Sequence, residues 1–181
     1  ALSSLDPCEV RYGESEVHGV ALNRNSPDQP HDPKLRVVEF KYASGEKALL
    51  YHFACHPTIM HADNTEVSAD FPGVASRNLE QRDDIRLALF LNGPCGDIST
   101  RFTRRESTFK EVERLGTLLS DGVLQVLDKA NDVEVSQLKS KYVEVELHPR
   151  EIEDSETLRK RLTDLKKNYE VALAQGVPSA E

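Results

Sequence analysis

The spacing of apolar positions changes several times along the chain, and each change predicts an element. Leu35–Tyr42 (LRVVEFKY) and Ala48–Ala54 (ALLYHFA) are rich in β-branched, aromatic and aliphatic residues, with Ser44-Gly45-Glu46 between them as turn chemistry. This predicts a β-hairpin. Ile85–Leu91 (IRLALFL) is a nearly continuous apolar run, bounded by Asp83-Asp84 and Asn92-Gly93-Pro94. Such a run predicts a central strand buried on both faces. Val112, Leu115, Leu119, Val123 and Val126 recur at three- and four-residue steps within Phe109–Ala130, the pattern of a helix with one face on a sheet. Asp70-Phe-Pro-Gly73 reads as a helix start with a capping carboxylate and an early proline, leading into a short helix over Val74–Gln81.

Further on, Lys141–Leu147 alternates polar and apolar residues, which predicts a half-exposed strand. Glu156–Ala174 then repeats Leu158, Leu162, Leu165, Tyr169 and Leu173 along a charged amphipathic helix, a candidate surface for a protein partner. Interleaved strands and helices predict an α/β fold with a mixed sheet packed by amphipathic helices. The 181 residues fit one core. Residues 1–181 are therefore read as a single partial domain, with a motif-bearing core at 23–130 and a strand plus charged helix at 138–176. The chain opens on Ala1 and stops without a clear ending signal, so the reading is of part of a larger catalytic domain.

Composition narrows the function classes. Hydrophobic residues make up 38% and charged residues 30%, which is too apolar for a disordered acidic tail and too polar for membrane spanning. No apolar stretch approaches the ~20 residues of a spanning helix. The net charge of −8 disfavours nucleic acid as a partner. Cys8, Cys55 and Cys95 are odd in number and lack C-x-x-C spacing, so neither a disulfide scaffold nor a four-cysteine zinc site is indicated. Cys55 and Cys95 read most simply as buried small hydrophobes. Together with the lack of a charged and apolar N-terminal region, the cysteine count favours a cytoplasmic location slightly over a secreted one.

Two polar clusters could carry chemistry. Cys55-His-Pro-Thr-Ile-Met-His61 follows a strand whose own His52 stands four residues before His56, so both imidazoles share one face if the strand persists. By residue type alone, the stronger reading makes His52 a hydrogen-bonded sheet histidine and His61 a loop residue. Asn92-Gly-Pro-Cys-Gly-Asp-Ile-Ser-Thr100 follows the apolar strand, where open α/β sheets bind ligands. Ser99 is a candidate nucleophile and Asp97 an orienting carboxylate, although no G-x-S-x-G elbow is present. A structural turn capped by the same two residues fits as well. Arg24, in the proline-rich loop Asn23–Pro33, could clamp an anion or an oxyanion through its planar fork. Asp70 could serve as ligand or base, with helix capping the stronger reading.

Taken together, Asn23-Arg-Asn-Ser-Pro27, Phe53-Ala-Cys-His-Pro-Thr-Ile-Met60, Ser68-Ala-Asp70 with Gly73, and Gly96-Asp-Ile-Ser99 resemble, in order, motifs of the neutral, non-lysosomal ceramidases and their bacterial relatives. The resemblance implies a zinc-dependent amidohydrolase acting on a linear amide C–N bond of a small-molecule or lipid-like N-acyl substrate. It assigns zinc to His56, a place lining the active site to Arg24, and the nucleophile to Ser99, with zinc-bound water as the rival attacker. The family's other zinc ligands have no match within 1–181, so the resemblance implies that this chain holds part of the metal site. Thr100 stands where the family usually has proline. The alternatives are a non-catalytic binding or assembly module on the same scaffold, and a metal-free serine hydrolase using His52, His56 or His61 near Ser99.

Overall fold

The computed structural model describes residues 5–137, 139–148 and 151–175. The chain divides into two compact units, Ala1–Leu138 and Lys139–Glu181. The first unit is built on a five-stranded mixed sheet of β1 (Cys8–Glu16), β3 (Lys34–Tyr42), β4 (Lys47–Phe53), β5 (Ile85–Asn92) and β7 (Asn131–Asp132), in the order β5-β4-β3-β1-β7. A two-stranded ladder joins β2 (Leu22–Asn23) to β6 (Ile98–Ser99). The helices are α1 (Asp70–Glu80) and α2 (Phe109–Asp128).

The hairpin β3–β4 forms at the expected residues, antiparallel from Arg36↔His52 to Lys41↔Lys47, around a turn at Ser44-Gly45. β4 and β5 pair in parallel, which requires a crossover, and α1 is that crossover. One face of the sheet is dry: Leu35 and Val37 of β3, Leu49, Tyr51 and Phe53 of β4, and Ile85 and Ala88 of β5 are buried. α2 packs against β1 and β3 and α1 against β5, with the helices in contact with each other. The predicted apolar face of α2 is the buried one, from Val112 to Val126. Gly116 lets the helices approach closely, since a Cβ there would stand 2.5 Å from Val74 Cβ and 2.8 Å from the Phe71 carbonyl oxygen. Tyr51 donates across this layer to the Pro72 carbonyl at 3.1 Å, and burial pushes its phenol up to about 12.

Two expectations are corrected, and one strand was not foreseen. β5 is the edge of the sheet among the described residues rather than a central strand, and only one of its faces is buried. Leu87, Leu89 and Leu91 are 42%, 50% and 46% exposed. The reason lies in the layering: α1 and α2 share one side, so alternate leucines of the apolar run point to the side that no element among the described residues of this unit covers. The longest strand pairing, nine residues of β1 against β3, lies in a segment whose polar composition concealed it. In the second unit, Lys141–Leu147 forms no strand, and Tyr142, Val143, Val145 and Leu147 are exposed. Alternation alone does not make a strand without a neighbouring chain to receive its backbone hydrogen bonds. The helix expected after it is present as α3 (Ser155–Ala174), capped by Asp154, whose carboxylate accepts the Glu156 and Thr157 amides.

Candidate active site

Loops that follow parallel strands collect at the strands' carboxyl ends, and here two such loops meet. β4 finishes at Phe53 and β5 at Asn92, side by side. From β4 the chain runs into His56, whose amide donates to the Ile98 carbonyl at 2.9 Å in a parallel bridge between His56 and Ser99. On the other side of β6 lies β2, with Leu22 opposite Ser99 and Asn23 opposite Ile98. Arg24 continues this ladder, its amide donating to the Asp97 carbonyl at 2.7 Å. The two residues of β6 thus join three segments remote in sequence, those of Arg24, His56 and Ser99. Gly93 makes the turn after β5 fit, because a Cβ there would stand 2.7 Å from His52 Nε2.

Side-chain bonds fix the same junction. Asn23 donates from Nδ2 to Asp97 Oδ2 at 3.0 Å and to the Pro30 carbonyl at 3.2 Å, while its Oδ1 accepts the Asn25 amide. Asp97 is thereby tied to the Arg24 loop through Oδ2. Ser99 is 5% exposed, and its Oγ accepts the Arg101 amide at 3.2 Å. No histidine hydrogen-bonds to that oxygen among the described residues. Thr100 beside it is fully buried, and its Oγ1 has no hydrogen-bond partner among the described residues. Arg24 carries its guanidinium on an exposed residue.

His56 is exposed, with Nδ1 3.7 Å from Cys95 Sγ. Asn92 links both cysteines, accepting the Cys55 amide at Oδ1 and donating from Nδ2 to Cys95 Sγ at 3.5 Å. Burial of Cys55 pushes its thiol up, which suits the inert small hydrophobe expected there. Cys95 departs from that expectation: it is half-buried and beside an imidazole 39 positions away. No local pattern could have shown this contact.

Asp70, expected as the cap of the helix, is instead the first residue of α1, whose N-cap position is Ala69 and carries no side-chain cap bond. Its backbone sits at φ +51°, and its buried Oδ2 accepts the amides of Ile59 at 3.0 Å and Met60 at 3.1 Å. Oδ1 accepts the Phe71 amide of the first helical turn at 2.7 Å. One carboxylate therefore closes the loop after His56 onto the start of α1. His52 does not join the cluster through the strand, because β4 ends three residues before His56 and the same-face alternation stops with it. Its Nδ1 lies instead 3.5 Å from Arg36 Nη1. His61 is exposed in the following turn.

Among the described residues no three His, Cys, Asp or Glu side chains converge as a set that could hold a metal ion. With Nδ1 turned to Cys95, His56 retains Nε2 as one donor, the usual arrangement of a zinc-binding imidazole supported from its other nitrogen. The donor set thus fits a contribution to a zinc site and not a whole one.

No protein-family model and no curated protein matches the sequence. Among solved structures, a ceramidase complexed with C2 is 23% identical with a TM-score of 0.61, and matches 71% of this chain. Neutral ceramidase from Pseudomonas aeruginosa is likewise 23% identical, with a TM-score of 0.60 over 71% of this chain. The chain spans about a quarter of their length, 23% and 24% respectively. In fold, this chain is similar to part of a neutral ceramidase.

Proposed function

We propose that the chain forms part of a ceramidase-like, zinc-dependent hydrolase that cleaves the amide C–N bond of an N-acyl substrate. The observation that carries this reading is the junction at β6, which draws the Arg24, His56 and Ser99 segments together beyond two parallel strands. His56 offers Nε2 to the metal, whose other ligands come from outside the described residues. Zinc, when bound, supplies Lewis-acid polarisation and acidification of water.

Ser99 contributes a hydroxyl that serves as nucleophile or orients the substrate. Its oxygen accepts the Arg101 amide and keeps a second lone pair for attack on the amide carbon, while the O–H remains a donor to a carbonyl. Arg24 clamps the substrate or the oxyanion that develops on its carbonyl. Asp97 acts at one remove by holding Asn23, and so the Arg24 loop, in place. Hydrolysis then divides water between the products: OH joins the acyl carbon, and H leaves with the amine.

His56→Ala in the intact gene product tests this reading. The expected result is loss of both zinc and hydrolysis of an N-acyl substrate, with an unchanged unfolding transition. Hydrolysis retained at the normal rate would overturn the role given to His56.

A further inference from the structure

No residue of α3, the helix of the second unit, is buried. The helix is started by the Asp154 carboxylate, which accepts the Glu156 and Thr157 amides at 2.9 and 3.0 Å. Leu158, Leu162, Leu165, Tyr169 and Ala172 then follow one another at steps of four, three, four and three residues. Those steps alternate the d and a positions of a heptad, so the five side chains form one narrow seam along the helix. The leucines and the tyrosine of the seam are 40–56% exposed, Leu158 least and Leu165 most. A seam of this period is a surface onto which a second helix packs by inserting its own apolar side chains.

Charge decides which helix that is. The e and g positions beside the seam hold Arg159, Arg161 and Lys166, with Asn168 and Leu173, and no acid. Glu156, Asp164 and Glu170 all fall at b or c, on the far side. Arg161 has an acidic neighbour in Glu153 at 3.6 Å, but both side chains are half-exposed or more, and such a pair is worth little. The basic margins work against a second copy of α3. Parallel copies would set Arg161 against Lys166, and antiparallel copies would set Arg159 against Lys166. An anionic membrane fits no better, because the polar face opposite the seam carries those three acids against Lys160 and Lys167, and the narrow seam holds neither Trp nor Phe. Acidic margins on an incoming helix turn the same three positions into ion pairs.

We propose that α3 is a docking helix for a partner protein that presents an amphipathic helix with Asp or Glu beside its apolar seam. The 20 residues of α3 give fewer than three heptads, so the apolar seam alone binds weakly and the charged margins select the partner. No residue of the β6 junction takes part, and the proposal stands or falls separately from the hydrolase reading.

The test measures binding of two synthetic four-heptad peptides to the intact gene product by fluorescence anisotropy. Both carry Leu at a and d; one has Glu at e and g, the other Lys. The Glu peptide is expected to bind about tenfold or more tighter, because three flanking contacts change sign together, and the difference should shrink at high salt. Arg159→Glu/Arg161→Glu/Lys166→Glu should reverse the order of the two peptides. Leu162→Gln/Leu165→Gln should lose both while the far-ultraviolet circular dichroism stays unchanged. If neither peptide binds, the seam is already covered in the intact protein and the proposal falls. It falls equally if both peptides bind alike, if the protein self-associates through α3 in sedimentation, or if phosphatidylglycerol vesicles, rather than the Glu peptide, bind in a way that the leucine substitutions abolish.

Discussion

The imidazole Nδ1 of His56 lies 3.7 Å from Cys95 Sγ, and the side-chain amide of Asn92 holds that sulfur from the other side at 3.5 Å. A loop histidine is thereby given one orientation by a thiol far away in sequence. Partners of this kind fix which ring nitrogen is free for a ligand.

Cys95→Ala removes that partner without touching the backbone bridge between His56 and Ser99. On the proposed role of His56, zinc retention in the intact protein is expected to weaken by about tenfold or more, as for partners behind metal-binding histidines in general. Chelator competition measures it. The imidazole 15N shifts should also move toward a tautomer mixture, and unchanged shifts would show that Cys95 does not orient the ring.

Asp70 predicts a stability effect. Asp70→Asn keeps a residue type that tolerates φ +51° but loses acceptor capacity for the Ile59, Met60 and Phe71 amides. The expected loss is about 1–3 kcal/mol in a denaturant titration. Asp70→Ala should cost more, and faster exchange of the Ile59 and Met60 amides should accompany it. An unchanged midpoint in Asp70→Ala would remove the carboxylate from the account of the loop.

Glu111 predicts acid sensitivity. The Arg114 guanidinium hydrogen-bonded to it holds its carboxyl below the ordinary value of 4.5, aided by the Arg105 amide. A depressed native value means that the unfolded chain takes up the proton first. The stabilisation is therefore present above 4.5 and is lost as pH falls through the lower native value. Urea midpoints followed from neutral to strongly acidic pH should show a flatter acid limb for Glu111→Gln, from a lower plateau. An identical acid limb would assign the loss to other carboxylates, Asp84 beside Lys47 first among them.

The two residues of β6 show why the candidate site was only half legible. Arg24, His56 and Ser99 could each be singled out by residue type and by resemblance, because the chemistry of a fork, an imidazole and a hydroxyl is local. Asn92, Cys95 and Arg101 could not, because their parts in the site depend on contacts spanning 37, 39 and 77 positions. Asp97 was legible as a polar turn residue, yet its partner Asn23 lies 74 positions away.

The same division runs through the fold. Helix α2 and the hairpin β3–β4 follow from period and turn chemistry alone, since their patterns are satisfied by neighbours close in sequence or by one buried face. The sequence by itself also determined that Ile85–Leu91 is a strand, through an apolar run bounded by turn residues. Only the tertiary structure decided that this strand is an edge with three exposed leucines, that polar β1 belongs in the sheet, and that Lys141–Leu147 does not become a strand. A strand is completed by hydrogen bonds to another segment, and a face is buried only if another element covers it. Both conditions belong to the arrangement of the whole chain and not to any stretch of it.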